Sequence, residues 1–179
     1  MDKILLIILF GIFYFSLTSN CKATPAQGIR IKKSDYEYLT AHNEARAKKG
    51  LPPLAWSKAL KRYSKQWAKH LATDGKCRIS HSDTPRDYGE NLAQWWGGTI
   101  KNGRDAVAIW MSEEKYYDYS TNTCEANKQC GHYTQIVWRD TREVGCSTYQ
   151  CPDSGKYSHS TIHVCQYYPP GNWVGKKPY

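Results

Sequence analysis

The residue that invites a chemical reading first is His132, in the run Cys130-Gly131-His132-Tyr133-Thr134-Gln135-Ile136-Val137-Trp138. Tyr133–Trp138 is β-branched and aromatic, which predicts a strand. An imidazole at the mouth of a buried strand is held rigidly and can turn one ring edge toward a cleft. Such an edge can ligate a metal or pass a proton, provided that acidic side chains from elsewhere meet it. Cysteines are the second reactive set. Of the seven, Cys21 lies near the start, leaving Cys77, Cys124, Cys130, Cys146, Cys151 and Cys165. None of these makes a C-x-x-C pair, so a zinc knuckle or dithiol redox site is not expected. An even number in an oxidising compartment reads as three disulfides, whose pairing the sequence alone leaves open. Two hydrolase signatures, His-Glu-x-x-His and Gly-x-Ser-x-Gly, are absent.

The compartment follows from residues 4–17, an apolar run behind Lys3 that is too short for a comfortable membrane span. It predicts a secretory signal peptide over residues 1–23, cleaved between Ser19 and Ala26, and hence an extracellular protein. Removal of Asp2, Lys3 and Lys22 with it lowers the formal charge from +9 to +8. A basic secreted protein is drawn to anionic cell-wall or membrane surfaces, whereas nucleic acid is disfavoured by the compartment.

The elements that must position these groups can be read in order. A basic leader over 24–33 precedes Ser34-Asp35-Tyr36-Glu37, whose Ser-x-x-Glu pattern predicts a capping box. The helix that follows carries Leu39, His42 and Arg46 and stops at Gly50, with His42 in a structural role. Ser57 is expected to cap a second helix ending near Gly75, with Leu60, Tyr63, Trp67, His70 and Leu71 on its core stripe. A short helix is predicted from Glu90 to the break at Gly97-Gly98, and another over Arg104–Tyr116, where Glu113 and Glu114 point apart. Strands are expected over Val144–Tyr149 and Thr161–Tyr167, joined through a turn at Pro152–Gly155. Helices first and strands last predict an α+β domain with a mostly antiparallel sheet, chain length allowing one core.

Four stretches carry a family resemblance. They are His42-Asn43-Glu44-Ala45-Arg46, Gly89-Glu90-Asn91-Leu92, Gly131–Trp138, and His163-Val164-Cys165-Gln166-Tyr167-Tyr168-Pro169-Pro170-Gly171-Asn172-Trp173. In this order they resemble the CAP superfamily of cysteine-rich secretory proteins, antigen 5 and pathogenesis-related 1 proteins, over residues 34–179. Length, six cysteines and basic charge are most similar to the basic form of the plant pathogenesis-related 1 group. The resemblance implies an α-β-α sandwich with disulfides Cys77–Cys151, Cys124–Cys130 and Cys146–Cys165. On loop-entropy grounds the first would stabilise by roughly 4–5 kcal/mol and the second by nearer 2 kcal/mol.

It also implies a cleft bearing His81, Glu90, Glu113 and His132. Such a set can hold zinc or another divalent ion, act as a general acid/base pair, or form a buried polar network; all three stay open. The family implies a monomeric defence protein that binds sterols or other lipids without turnover, no cofactor being required. Tyr116, Tyr117 and Tyr119 lie near the place where members bind sterol. Two alternatives accompany this expectation. One is a metal-dependent hydrolase at the four-residue site. The other is a precursor of a signalling peptide from Pro169 to Tyr179, although Gln166 stands where relatives have asparagine.

Overall fold

A computed structural model describes residues 32–83, 87–96, 102–152 and 159–179. The signal peptide, most of the basic leader, Gly97-Gly98 and most of the Pro152–Gly155 turn lie outside these residues. The chain forms α1 (Lys33–Ala47), β1 (Ala55–Trp56), α2 (Lys58–Thr73), β2 (Gly89–Trp95) and α3 (Gly103–Met111). A 3-10 turn (Ser112–Tyr116) leads to β3 (Tyr117–Asp118) and β4 (Thr123–Cys124), then α4 (Gly131–Ile136), β5 (Glu143–Gln150) and β6 (Thr161–Tyr168). The main sheet has the order β1-β5-β6-β2, with only β1 and β5 parallel. Among the described residues no helix is long and apolar enough to cross a membrane.

Strand periodicity sends the two faces of this sheet to different helices. Cys165 and Tyr167 of β6, Val144 and Cys146 of β5, and Ala93 of β2 join α1, α3 and α4 in one core. Ile162, Val164 and Leu92 pack with Ala68, Leu71 and Ala72 of α2 in the other. The sandwich is therefore α-β-α. Its helix and sheet approach so closely at Gly145 that a Cβ there would lie 2.2 Å from the Lys61 amide nitrogen. Cys77–Cys151, Cys124–Cys130 and Cys146–Cys165 are joined as disulfides, the first spanning 74 residues of chain.

Local signals hold for α2, where the Ser57 hydroxyl accepts from the Leu60 amide. The buried side of that helix is Leu60, Ser64, Ala68, Leu71 and Ala72, while Tyr63 and His70 are exposed. The larger aromatic surface of the expected stripe gives way to small residues because α2 lies so close to the sheet. The Ser34–Glu37 capping box does not form. The helix starts at Lys33, with Lys32 as an N-cap that supplies no side chain, so Ser34 is already inside the first turn. Asp35 is held instead by the Lys61 ammonium at 2.7 Å. The expected Arg104–Tyr116 helix is α3 as far as Met111, then tightens into the 3-10 turn.

Two elements are of the other type. Gly89–Trp95 is a strand, paired along its whole length with β6. Leu92 and Ala93 serve opposite cores, an arrangement with period two that a helix starting at Glu90 would not give. Gly131–Ile136 is a helix. Its Tyr133, Ile136 and Val137 are buried together at helical spacing, so tertiary packing overrides the β preference of the individual residues. The Thr134 hydroxyl, free to compete in other settings, lies 3.1 and 3.2 Å from the Cys130 and Gly131 carbonyls, and its one hydrogen has a nearer acceptor in Asn172 Oδ1 at 2.7 Å.

Candidate functional site: a cleft with two histidine–glutamate pairs

Each imidazole of the site is built from two elements. His81, in the loop after α2, has Nδ1 2.8 Å from Oε1 of Glu90 on β2. Glu90 is nearly buried, with 7 % of its side chain exposed, and its carboxylate is crowded with donors. It accepts from the Ser82 amide at 3.0 Å, the Ser82 hydroxyl at 2.8 Å and the Gln166 amide at 2.5 Å. On the far side, His132 in the first turn of α4 has Nδ1 2.6 Å from Oε1 of Glu113. Oε2 of Glu113 accepts the His132 and Tyr133 amides at 3.0 and 3.2 Å. These amides have no carbonyl partner within the helix, so Glu113 both aims the imidazole and caps α4. Glu114 points away, to Lys49 at 2.5 Å.

Trp110 stacks against His132, with ring centroids 6.2 Å apart. Behind it, the Asn91 amide donates to the His132 carbonyl and to Tyr167 Oη. Tyr167 Oη meets Nε2 of His42, whose Nδ1 reaches the Tyr38 carbonyl at 2.8 Å. That carbonyl can only accept, so His42 carries its proton on Nδ1 and Tyr167 donates to Nε2. His42 is a buried structural residue that ties the site to α1, as expected.

The four predicted residues thus come together as two pairs, and His81, Glu90 and His132 line one cavity of about 280 Å³. A carboxylate that accepts from Nδ1–H fixes the tautomer and leaves Nε2 of each ring for the cleft. No described group bonds either Nε2. Among the described residues, no three His, Cys, Asp or Glu side chains are placed to hold a metal ion among themselves. Two imidazoles supply two donors, short of the four of a closed zinc site. Ser82, Gln166 and Asn91 were not anticipated as site residues. Asn91 was legible only in principle, because the helix expected from Glu90 would have turned it elsewhere.

The three aromatic residues expected near a lipid separate. Tyr117 walls a second cavity, of about 320 Å³, with Trp138, Trp173 and Pro178, beside the β3–β4 ribbon. Tyr116 is covered by the Lys115 and Lys128 ammonium groups, and Tyr119 stacks on Tyr179; neither lines that cavity.

The hydrogen bond to Glu90, aided by that carboxylate's charge and opposed by burial, raises the pKa of His81 above 6.5. Its pairing therefore contributes stability that is fully present below pH 6.5 and is lost as pH rises through the raised value. An NMR titration should find His81 titrating above 6.5, and Glu90→Gln should bring it down. An unmoved midpoint in the variant would refute this coupling.

The cysteine-rich secretory protein (CAP) family model matches residues 39–168. The chain belongs to this family. It is 43 % identical over 148 residues to pathogenesis-related protein 1C of Nicotiana tabacum, covering 83 % of this chain and 82 % of that protein. To pathogenesis-related protein 1 of Arabidopsis thaliana it is 42 % identical over 151 residues, covering 84 % and 86 %. Among solved structures it is similar to Schistosoma mansoni venom allergen-like protein 4 (TM-score 0.63, 26 % identity, 83 % of this chain and 95 % of that one). The fold also matches NaASP2, crystallised with Zn2+ (TM-score 0.64, 21 % identity, covering 85 % and 88 %).

Proposed function

We propose that this CAP protein is a secreted, pathogenesis-related 1-like defence protein that binds a sterol or another lipid without turning it over. The observation that carries the reading is the cavity walled by Tyr117, Trp138, Trp173 and Pro178. Its size lies within the range of small-ligand sites; its flat rings suit a rigid apolar skeleton, and Asn122, Lys128 and Lys176 on the same wall suit a polar end. Three disulfides agree with an oxidising, extracellular setting. The formal charge, +9 for the full chain and +8 without residues 1–23, favours approach to anionic membrane or cell-wall surfaces. Purified protein should retain labelled sterol above background, and Tyr117→Ala should lower retention severalfold. No retention by the parent, or equal retention by the variant, overturns the proposal.

A second reading concerns the paired histidines. A carboxylate behind each Nδ1 is the arrangement that orients metal-binding imidazoles. A divalent ion held by His81 and His132, with water completing its shell, is therefore retained beside the lipid reading. Zinc should shift the ring signals of both histidines together, and His132→Ala should abolish the His81 response. Hydrolysis at this site has weaker support. Both carboxylates are engaged by donors of the fold, and no described Ser, Thr or Cys is bonded to either Nε2.

Peptide release would have to undo several contacts. The Gly171 amide donates to Gln135, Asn172 bonds Thr134 and Gly131, and the Arg139 amide donates to the buried Pro178.

A further inference from the structure

The histidine cavity does not end at Glu90. His81, Glu90 and Asn172 also wall a neighbouring cavity of about 380 Å³. Tyr88, Pro170 and Trp173 are shared in turn with a third, of about 650 Å³, which reaches Tyr168. Three neighbouring cavities thus share walls in series, and we read them as one trough along the surface; Asn172 and Trp173 also wall the ribbon cavity.

Two features of the trough identify its occupant. The first is a row of rings at its outer end. Tyr88 packs against Tyr63 at 5.6 Å between centroids and against the edge of Tyr168 at 6.1 Å. Trp173, 53 % exposed, walls the same cavity, and Tyr168 is 48 % exposed. Flat aromatic surface at the rim of a groove stacks on flat C–H faces, for which the electron-rich ring face is the partner. The second feature is charge. The protein has 25 lysines and arginines, yet among the described residues none lines any of the three cavities. The charged side chains at the outer end are instead Asp87 and Glu143. Farther in, the amides of Asn172 and Gln129 add neutral donors and acceptors.

An anionic polymer laid here would face carboxylates with no cation among the described lining residues to offset them. A proline-rich peptide would stack on the rings but offers few N–H groups to carboxylate oxygens. A chain of neutral sugar rings fits both requirements. Its equatorially substituted rings present apolar faces to the tyrosines and tryptophan, and its hydroxyls donate to Asp87 and Glu143. We propose that the trough is a binding site for a linear, neutral, β-linked glucan. This goes beyond the lipid reading and does not rest on it, since Tyr88 and Tyr168 lie outside the ribbon cavity.

The test is calorimetric and NMR titration of the full chain with cellohexaose, laminarihexaose, polygalacturonate and decaproline. At least one of the two neutral hexasaccharides should bind with a Kd on the order of 0.1–1 mM, unchanged when salt is raised well into the screening range. Tyr88→Ala and Trp173→Ala should each weaken it roughly tenfold, the scale of one lost aromatic stack. Tyr36→Ala, an equally exposed ring on α1, should leave it unchanged, as should Tyr88→Ala for sterol retention. Unaltered melting of the variants excludes misfolding as the cause. The proposal is overturned if neither hexasaccharide binds at about 10 mM. It is equally overturned if polygalacturonate or decaproline binds more tightly, or if both ring variants keep the parent affinity.

Discussion

Replacing Arg46 by methionine should destabilise the protein by roughly 2–6 kcal/mol, the cost of leaving two buried carbonyl oxygens without a donor. Arg46 is fully buried on α1, and its guanidinium donates to four backbone carbonyls. They are Pro52 at 2.7 Å, Ile136 at 2.9 Å, Trp138 at 2.7 Å and Thr141 at 3.3 Å. Ile136 is the last residue of α4 and Trp138 lies just past its C-cap, so one side chain reaches carbonyls that a short helix leaves open. Burial lowers the Arg46 pKa to about 10, with the charge of Arg142 acting in the same direction, which leaves it protonated at neutral pH. Methionine fills the space but leaves the Pro52 and Ile136 oxygens without a described donor, each at a desolvation cost of about 1–3 kcal/mol. The Trp138 oxygen keeps the Thr141 amide, and the Thr141 oxygen keeps Arg142. Arg46→Lys should recover little, because one ammonium cannot span the fork. Urea unfolding reads the loss, and amide exchange at His132 and Tyr133 should quicken as α4 loosens. A loss below about 1 kcal/mol would show that solvent or repacking satisfies the carbonyls.

Mild acid is the second large perturbation. His42 and His163 are both buried, and burial lowers each pKa from 6.5 to about 4. The charge of Arg46 acts in the same direction on His42, whereas its bond to the Tyr38 carbonyl opposes the shift; Asp105 opposes it at His163. Between pH 6.5 and about 4 the unfolded chain binds protons that the folded chain refuses, so stability falls as pH drops through that window. A displacement of this size corresponds to roughly 3 kcal/mol for each histidine. His163 has a specific reason to resist. Its Nδ1 meets Tyr38 Oη at 2.5 Å, while Nε2 is buried with no described partner, so a second ring proton would be stranded. Urea midpoints at pH 7 and 4.5 should differ sharply, and His163→Gln should remove about half of the difference, His42 supplying the rest. Equal midpoints in the parent would refute the assignment. His81, exposed and paired, contributes with the opposite sign.

The fold was legible where a local pattern and the tertiary arrangement agree. Ser57 announces α2, and Thr161–Tyr167, with its β-branched and aromatic residues, reads as the strand it forms, buried on both faces. Disulfide pairing and the four site residues came through the family motifs, because groups from α4, β2 and two loops share no local periodicity. What could not be read locally depended on a distant partner. Tyr133–Trp138 has the composition of a strand, and only the Glu113 carboxylate, arriving from the far side of a loop, completes the first turn of a helix there. Gly89–Trp95 has helix-compatible residues, and β6 fixes it as a strand. The hydrogen bonds that Ser82 and Gln166 make to Glu90 were invisible for the same reason.

Trp173 is a wall common to the ribbon cavity and the trough. A guest that rotates it remodels both compartments in one movement. Any resulting cooperativity, positive or negative, must have the same size whichever guest arrives first. Titrating sterol in the presence and absence of hexasaccharide would measure that linkage, and identical affinities would mean the wall stays still.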